Sequence, residues 1–210
     1  FKLGKKKTKI FCLSYQKTGT TSVGEFFRLF DYKVAKWEVS NRNEWSMHWL
    51  KGDFESIFQS QYFKKNQVFE DDPWFLPEFY KVIYHRYPDA QFVLFERDSE
   101  NWFQSLLKHQ SGKNLGNSQL HSKIYGRELD FQKLLNKKEC AEYKYDRINK
   151  HNWHNLEINE SYKNKYIERY KIHNEEVKSF FNCFAPDKLI SLKLEDPLKW
   201  EKMANFFSIK

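Results

Sequence analysis

No run of apolar residues in the 210-residue chain approaches the roughly 20 needed to span a bilayer, and no apolar leader follows a basic start. A membrane-spanning protein is therefore not expected. Cysteine is scarce: Cys12, Cys140 and Cys183 form no CxxC pair and no disulfide framework, which points to a reducing, cytoplasmic setting. Cys12, inside an apolar run, reads as a small packed hydrophobe. His151 and His154 stand close together, but neither an HExxH motif nor a Cys/His set accompanies them, so no metal is expected. There is no internal repeat, and with 5 Pro and 7 Gly there is no long linker. Residues 1–210 therefore read as a single domain, and the opening Phe1 reads as a trimmed chain or a fragment.

Rings and positive charge make up for these shortages. Aromatic residues reach 19%, with 20 Phe, 12 Tyr and 7 Trp, against 30% charged residues. The mean hydropathy of −0.84 is low, yet a core built on rings can be large beneath a surface crowded with Lys and Asn. The net charge of +8 suits an anionic partner: nucleic acid, an acidic lipid surface or a small phosphorylated ligand. Charge alone does not choose among them.

Along the chain, residues 9–14 read as a buried strand, 15–19 as a turn, and 20–30 as a helix with Val23, Phe26, Phe27 and Phe30 at helical spacing. A second strand is expected within 32–37, mostly helix over 43–62 with a break at Gly52-Asp53, and a short strand at 67–70. Asp72 as N-cap and Pro73 at the first helical position predict a helix from 73 to about 87. Residues 91–95 make the clearest strand, followed by a helix capped by Asp98 or Ser99. A loop is expected at 111–117, helix over much of 130–181, a last strand at 189–192 and a last helix over 197–206. Strands alternating with helices predict an α/β fold of three layers, P-loop-like, with a mainly parallel sheet flanked by helices. In such sheets ligands bind beyond the carboxyl ends of the strands. At those ends lie Lys17-Thr18-Gly19-Thr20-Thr21, then Asp71-Asp72-Pro73, then Arg97-Asp98. A glycine and two threonines opening a helix offer N–H groups and hydroxyls to an anion, and Lys17 adds full charge. The plainer reading is a turn that caps its helix. It is not the GxxxxGK[ST] loop, because the lysine precedes the glycine.

Gln16-Lys17-Thr18-Gly19-Thr20-Thr21 resembles the 5′-phosphosulfate loop of sulfotransferases that use 3′-phosphoadenosine 5′-phosphosulfate (PAPS). Phe92-Val93-Leu94-Phe95, then Arg97-Asp98 and Ser105, resembles that family's 3′-phosphate element. Leu194-Glu195-Asp196-Pro197, with Trp200 and Phe206-Phe207, looks like its closing strand and helix. The likeness is greatest to small members with an Asp-x-Pro segment before the middle helix. The resemblance implies that Lys17 contacts the bridging oxygen, that Thr18, Gly19, Thr20, Thr21 and Ser22 hold the 5′-phosphate, and that Arg97 and Ser105 bind the 3′-phosphate. Ser22 stands where many relatives carry a Trp that stacks on adenine. Asp71 takes the place of the His two residues before a Pro in cytosolic relatives and would be the base. Asp72 is read as the helix cap, and Glu70 as pointing to the opposite side. PAPS would be the donor, 3′-phosphoadenosine 5′-phosphate (PAP) the product, and a small-molecule or glycan hydroxyl the acceptor, shaped by a helical cap around 110–180. No nucleic acid is expected in this reading. Two rivals remain at this stage: a nucleotide or small-molecule kinase, and a non-catalytic basic module for nucleic acid or acidic glycan.

Overall fold

A computed structural model describes residues 8–109, 119–135 and 158–209. Five parallel strands form one sheet in the order β2-β3-β1-β4-β5: β1 Ile10–Cys12, β2 Val34–Ala35, β3 Val68–Phe69, β4 Gln91–Glu96 and β5 Leu189–Lys193. Phe11 is in register with Phe69 on one side and Phe92 on the other. Helices α1 Thr20–Leu29, α2 Trp37–Arg42, α3 Trp45–Lys51, α4 Phe54–Gln59 and α5 Gln61–Lys65 precede β3, and α6 Phe79–Arg86 precedes β4. After β4 come α7 Ser99–Lys108, α8 Gln119–Ile124, α9 Glu128–Leu135, α10 Lys163–Phe184 and, past β5, α11 Lys199–Phe206.

Strand alternation sorts the core into two faces. Ile10, Cys12, Val68, Val93 and Phe95 pack with Val23, Phe26 and Phe27 of α1 and with Met203 and Phe207. On the other face Phe11 stacks on Phe69 at 4.8 Å between ring centres and meets Trp74 at 5.1 Å, and Phe92 meets Phe181 of α10 at 4.6 Å. The break expected at Gly52-Asp53 is a helix end followed by a helix start. Gly52, at φ 73, closes α3, and the Asp53 carboxylate accepts the Ser56 amide to open α4.

The helix expected from Pro73 begins instead at Phe79, with Glu78 rather than Asp72 at its N-cap position. Residues 71–78 run through turns. Pro77 explains part of this: the residue before a proline is steered away from helical backbone, so Leu76 interrupts a helix that Pro73 alone would permit.

The chain forms two compact units, the first from residues up to 97 and from 174 on, the second from 98 to 173. The second holds α7, α8, α9, a short 3-10 turn at Glu160–Tyr162 and the first half of α10. Asp98 caps α7 by accepting the Asn101 amide at 3.0 Å. Within this unit Trp102 stacks on Tyr170 and Tyr125 on Tyr166, at 4.4 and 4.1 Å. Arg127 is 2% exposed and gives hydrogen bonds to Asp130 at 3.0 Å and to the Tyr166 hydroxyl at 3.2 Å. The expected loop at 111–117, Cys140, His151 and His154 lie outside the described residues. None of the described helices is long and apolar enough to cross a membrane.

Candidate functional site

In this strand order the chain leaves β1 for β2 and β3 on one side and crosses to β4 on the other. The loops after β1, β3 and β4 therefore open at the switch point of the sheet, where parallel α/β folds leave a crevice. Lys17, Asp71 and Arg97 each follow one of these three strands within a few residues.

The turn after β1 is held from within. Thr18 is fully buried, and its hydroxyl donates to the Tyr15 carbonyl at 2.5 Å. That proton is spent on the turn rather than on a ligand. Lys17 sits at φ 68, in the left-handed region that costs a side-chain-bearing residue roughly 1–2 kcal/mol. Arg97 reaches across from the end of β4 and donates to the Lys17 carbonyl at 3.3 Å, which ties the two basic residues together. Gly19, at φ 92, is the N-cap of α1; a Cβ there would also come within 2.8 Å of Leu194 Cδ1. Its carbonyl takes the Val23 amide at 3.1 Å, so helix geometry leaves the N–H groups of Thr20, Thr21 and Ser22 without intrahelical partners. Thr21 and Ser22 are exposed, whereas Thr20 is buried.

The segment after β3 carries three consecutive acids with three different fates. Glu70, 4% exposed, turns toward α1, where Gly24 leaves room for it: a Cβ at Gly24 would fall 1.7 Å from Glu70 Oε2. Burial, then the charge of Asp71, pushes the Glu70 carboxyl up to about 8. Asp71, at φ 64, accepts the amide N–H of Asp72 on Oδ1 at 2.9 Å. Burial first, and the neighbouring Asp72 second, raise its carboxyl to about 7; Lys17 opposes them. A carboxylate in that range is a competent base near neutral pH. Asp72 is not a helix cap. It accepts a hydrogen bond from the Ser46 hydroxyl at 2.5 Å, and its other oxygen has no partner among the described residues.

Ser105 lies on α7 in the second unit and is partly buried. Reading the sequence missed Ser46, which no local signal joins to Asp72. It also missed Glu96, a buried acid at the end of β4 that faces Lys178 at 3.2 Å and Ser191 at 3.1 Å. Gly24 had a readable signal: an isolated glycine within a helical pattern costs about 1 kcal/mol against Ala and points to a packing reason. Among the described residues no group of His, Cys, Asp and Glu is arranged to hold a metal ion.

A family model described as a sulfotransferase domain matches residues 9–210. No curated protein matches the chain.

Proposed function

The chain belongs to the sulfotransferase-domain family, and from that premise we propose that it moves a sulfuryl group from PAPS to an acceptor hydroxyl. What supports this reading is the gathering of Lys17, Asp71 and Arg97 at the carboxyl ends of β1, β3 and β4, with Asp71 raised into the range of a working base. A diphosphate-like anion suits the start of α1, where free N–H groups, the helix dipole and the Lys17 charge point the same way.

In the proposed reaction Asp71 takes the proton of the acceptor hydroxyl as its oxygen attacks sulfur. The bond from sulfur to the bridging oxygen breaks, and that oxygen leaves with the 5′-phosphate. Lys17 offsets the negative charge growing on it, aided by the Thr20, Thr21 and Ser22 N–H groups. Gly19 shapes the turn that presents them, and Thr18 holds the turn closed. Arg97 offers a charged fork to the 3′-phosphate while steadying the Lys17 backbone. For Ser105 the share in that phosphate rests on its sequence spacing from Arg97. No step requires a metal, and the acceptor is a small-molecule or glycan hydroxyl.

The test is a thermal shift with PAP combined with turnover. PAP should raise the unfolding temperature of the wild-type chain, because a ligand bound by the native state alone stabilises it. Lys17→Ala should lower turnover by about 10²–10³, and Arg97→Ala should mainly weaken the PAP shift. Wild-type shift and turnover in both variants would refute the assignment.

A further inference from the structure

Building on the reading of Asp71 as the base, we propose that Ser46 is a positioning residue that keeps Asp72 ionised, and through Asp72 sets the proton affinity of Asp71. The contacts form a short chain. Ser46 lies in the first turn of α3, almost fully buried, and its hydroxyl donates to Asp72 Oδ2 at 2.5 Å. Its neighbour Trp45 anchors that turn, 5.4 Å edge to face from Trp74 and 6.2 Å from Phe69 of β3. The Asp72 amide in turn donates to Asp71 Oδ1 at 2.9 Å. One residue thus touches the base through its backbone and Ser46 through its side chain.

The other oxygen of Asp72 has no donor among the described residues, so the Ser46 hydroxyl is the side-chain contact that favours its charged form. Burial works against that charge. The groups that interact with Asp71 are Asp72 and Glu38 of α2, which disfavour its ionisation, Lys17, which favours it, and Glu70 and the Cys12 thiol, whose own ionisation Asp71 disfavours and which burial keeps neutral near pH 7. Glu70 is turned away toward Gly24. The two neighbouring aspartates cannot both ionise freely, so the first proton to leave is shared out by whichever site is better supplied with donors. Ser46 tilts that choice: Asp72 ionises first, and Asp71 then gives up its proton late, beside a standing negative charge.

Removing the hydroxyl should reverse the order. In Ser46→Ala the proton moves to Asp72, the like charge beside Asp71 disappears, and Asp71 ionises at lower pH. The acid limb of kcat/KM should shift down by about one pH unit. Its plateau should fall by less than about tenfold, since a weaker base still accepts the proton. Ser46→Thr, which keeps the hydroxyl, should restore the wild-type limb. Asp72→Asn removes the charge itself, should shift the limb the same way, and takes the place of Ser46→Ala if that variant fails to fold.

The experiment follows the aspartate carboxyl carbons of the full chain by NMR across pH, with Asp71→Asn assigning the resonance, alongside the pH–rate profile of each variant. A lower Asp71 midpoint in Ser46→Ala, recovered in Ser46→Thr and mirrored in the rate profile, is the expected result. An unmoved midpoint in Ser46→Ala that keeps its unfolding temperature and PAP shift would overturn the role of Ser46 and leave the base assignment intact. A moved midpoint with an unmoved rate limb would instead remove Asp71 from the reaction, overturning the base assignment and the positioning role that depends on it.

Discussion

Arg127 in the second unit and the run Glu70-Asp71-Asp72 in the first both take ionisable groups out of water, with opposite results. Arg127 gives hydrogen bonds to Asp130 and Tyr166, and its guanidinium lies 3.7 Å over the Tyr162 ring. One carboxylate, one hydroxyl and one ring face thus meet its charge. The acids after β3 are matched poorly: Glu70 Oε2 and Asp72 Oδ1 find no hydrogen-bond partner among the described residues, Asp71 disfavours the ionisation of Glu70, and Asp72 disfavours that of Asp71. A buried charge that is fully partnered holds a fold in one arrangement. A buried charge left short of partners costs stability and stores reactivity, which is where perturbed acids mark function.

This contrast can be broken from either side. The largest expected effect is on chemistry: Asp71→Asn keeps the shape but cannot take a proton, so turnover should fall by about 10²–10⁴. The PAP shift should persist, because the proposed role of Asp71 is toward the acceptor and not the phosphates. Near-normal turnover would end its candidacy as base. Next, Arg127→Ala should strand Asp130 and Tyr166 and cost about 3 kcal/mol of stability, measured by heat or denaturant unfolding. If Arg127 is structural, affinity for PAP at a temperature where the variant is folded should change by less than about threefold.

The last effect depends on pH and concerns Glu70. Its folded carboxyl holds a proton more tightly than an unfolded one, so the folded chain binds the extra proton between pH of about 4.5 and about 8. Its contribution to stability is complete below that window and is lost as pH rises through it. Glu70→Gln should flatten this decline and leave the variant more stable than wild type at pH 9. For a chain of this size each ~1 kcal/mol moves the melting temperature by about 2–4 °C. Parallel melting curves of the two proteins against pH would show that Glu70 is not buried as a neutral acid.

Where local pattern suffices, elements and sequence agree closely. The apolar run 9–14 contains β1, the 3.6-residue spacing of Val23, Phe26 and Phe27 yields α1 from Thr20, and 91–95 yields β4. Asp98 caps α7 because a cap is an interaction between near neighbours. The same rule misleads at Asp72. Its side chain has a stronger claim on Ser46, 26 residues earlier, and Pro77 delays the helix to Phe79. Of the site, Lys17, Asp71 and Arg97 are legible as residues at strand ends. Their roles within the turn are not: the Thr18 hydroxyl inside it and the Arg97 link to the Lys17 carbonyl depend on how the chain closes.

The sequence by itself determined a parallel α/β sheet with a basic turn after its first strand, an acid after its third and an arginine after its fourth. Those follow from hydrophobic period and residue order, which are local properties. The tertiary structure decided that Glu70 faces α1, that Asp72 serves Ser46 rather than a helix, and that Asp71 holds its proton to near neutrality. The reason is physical: a carboxyl's proton affinity depends on burial and on the charges and donors around it, and packing brings those from residues far apart in the chain.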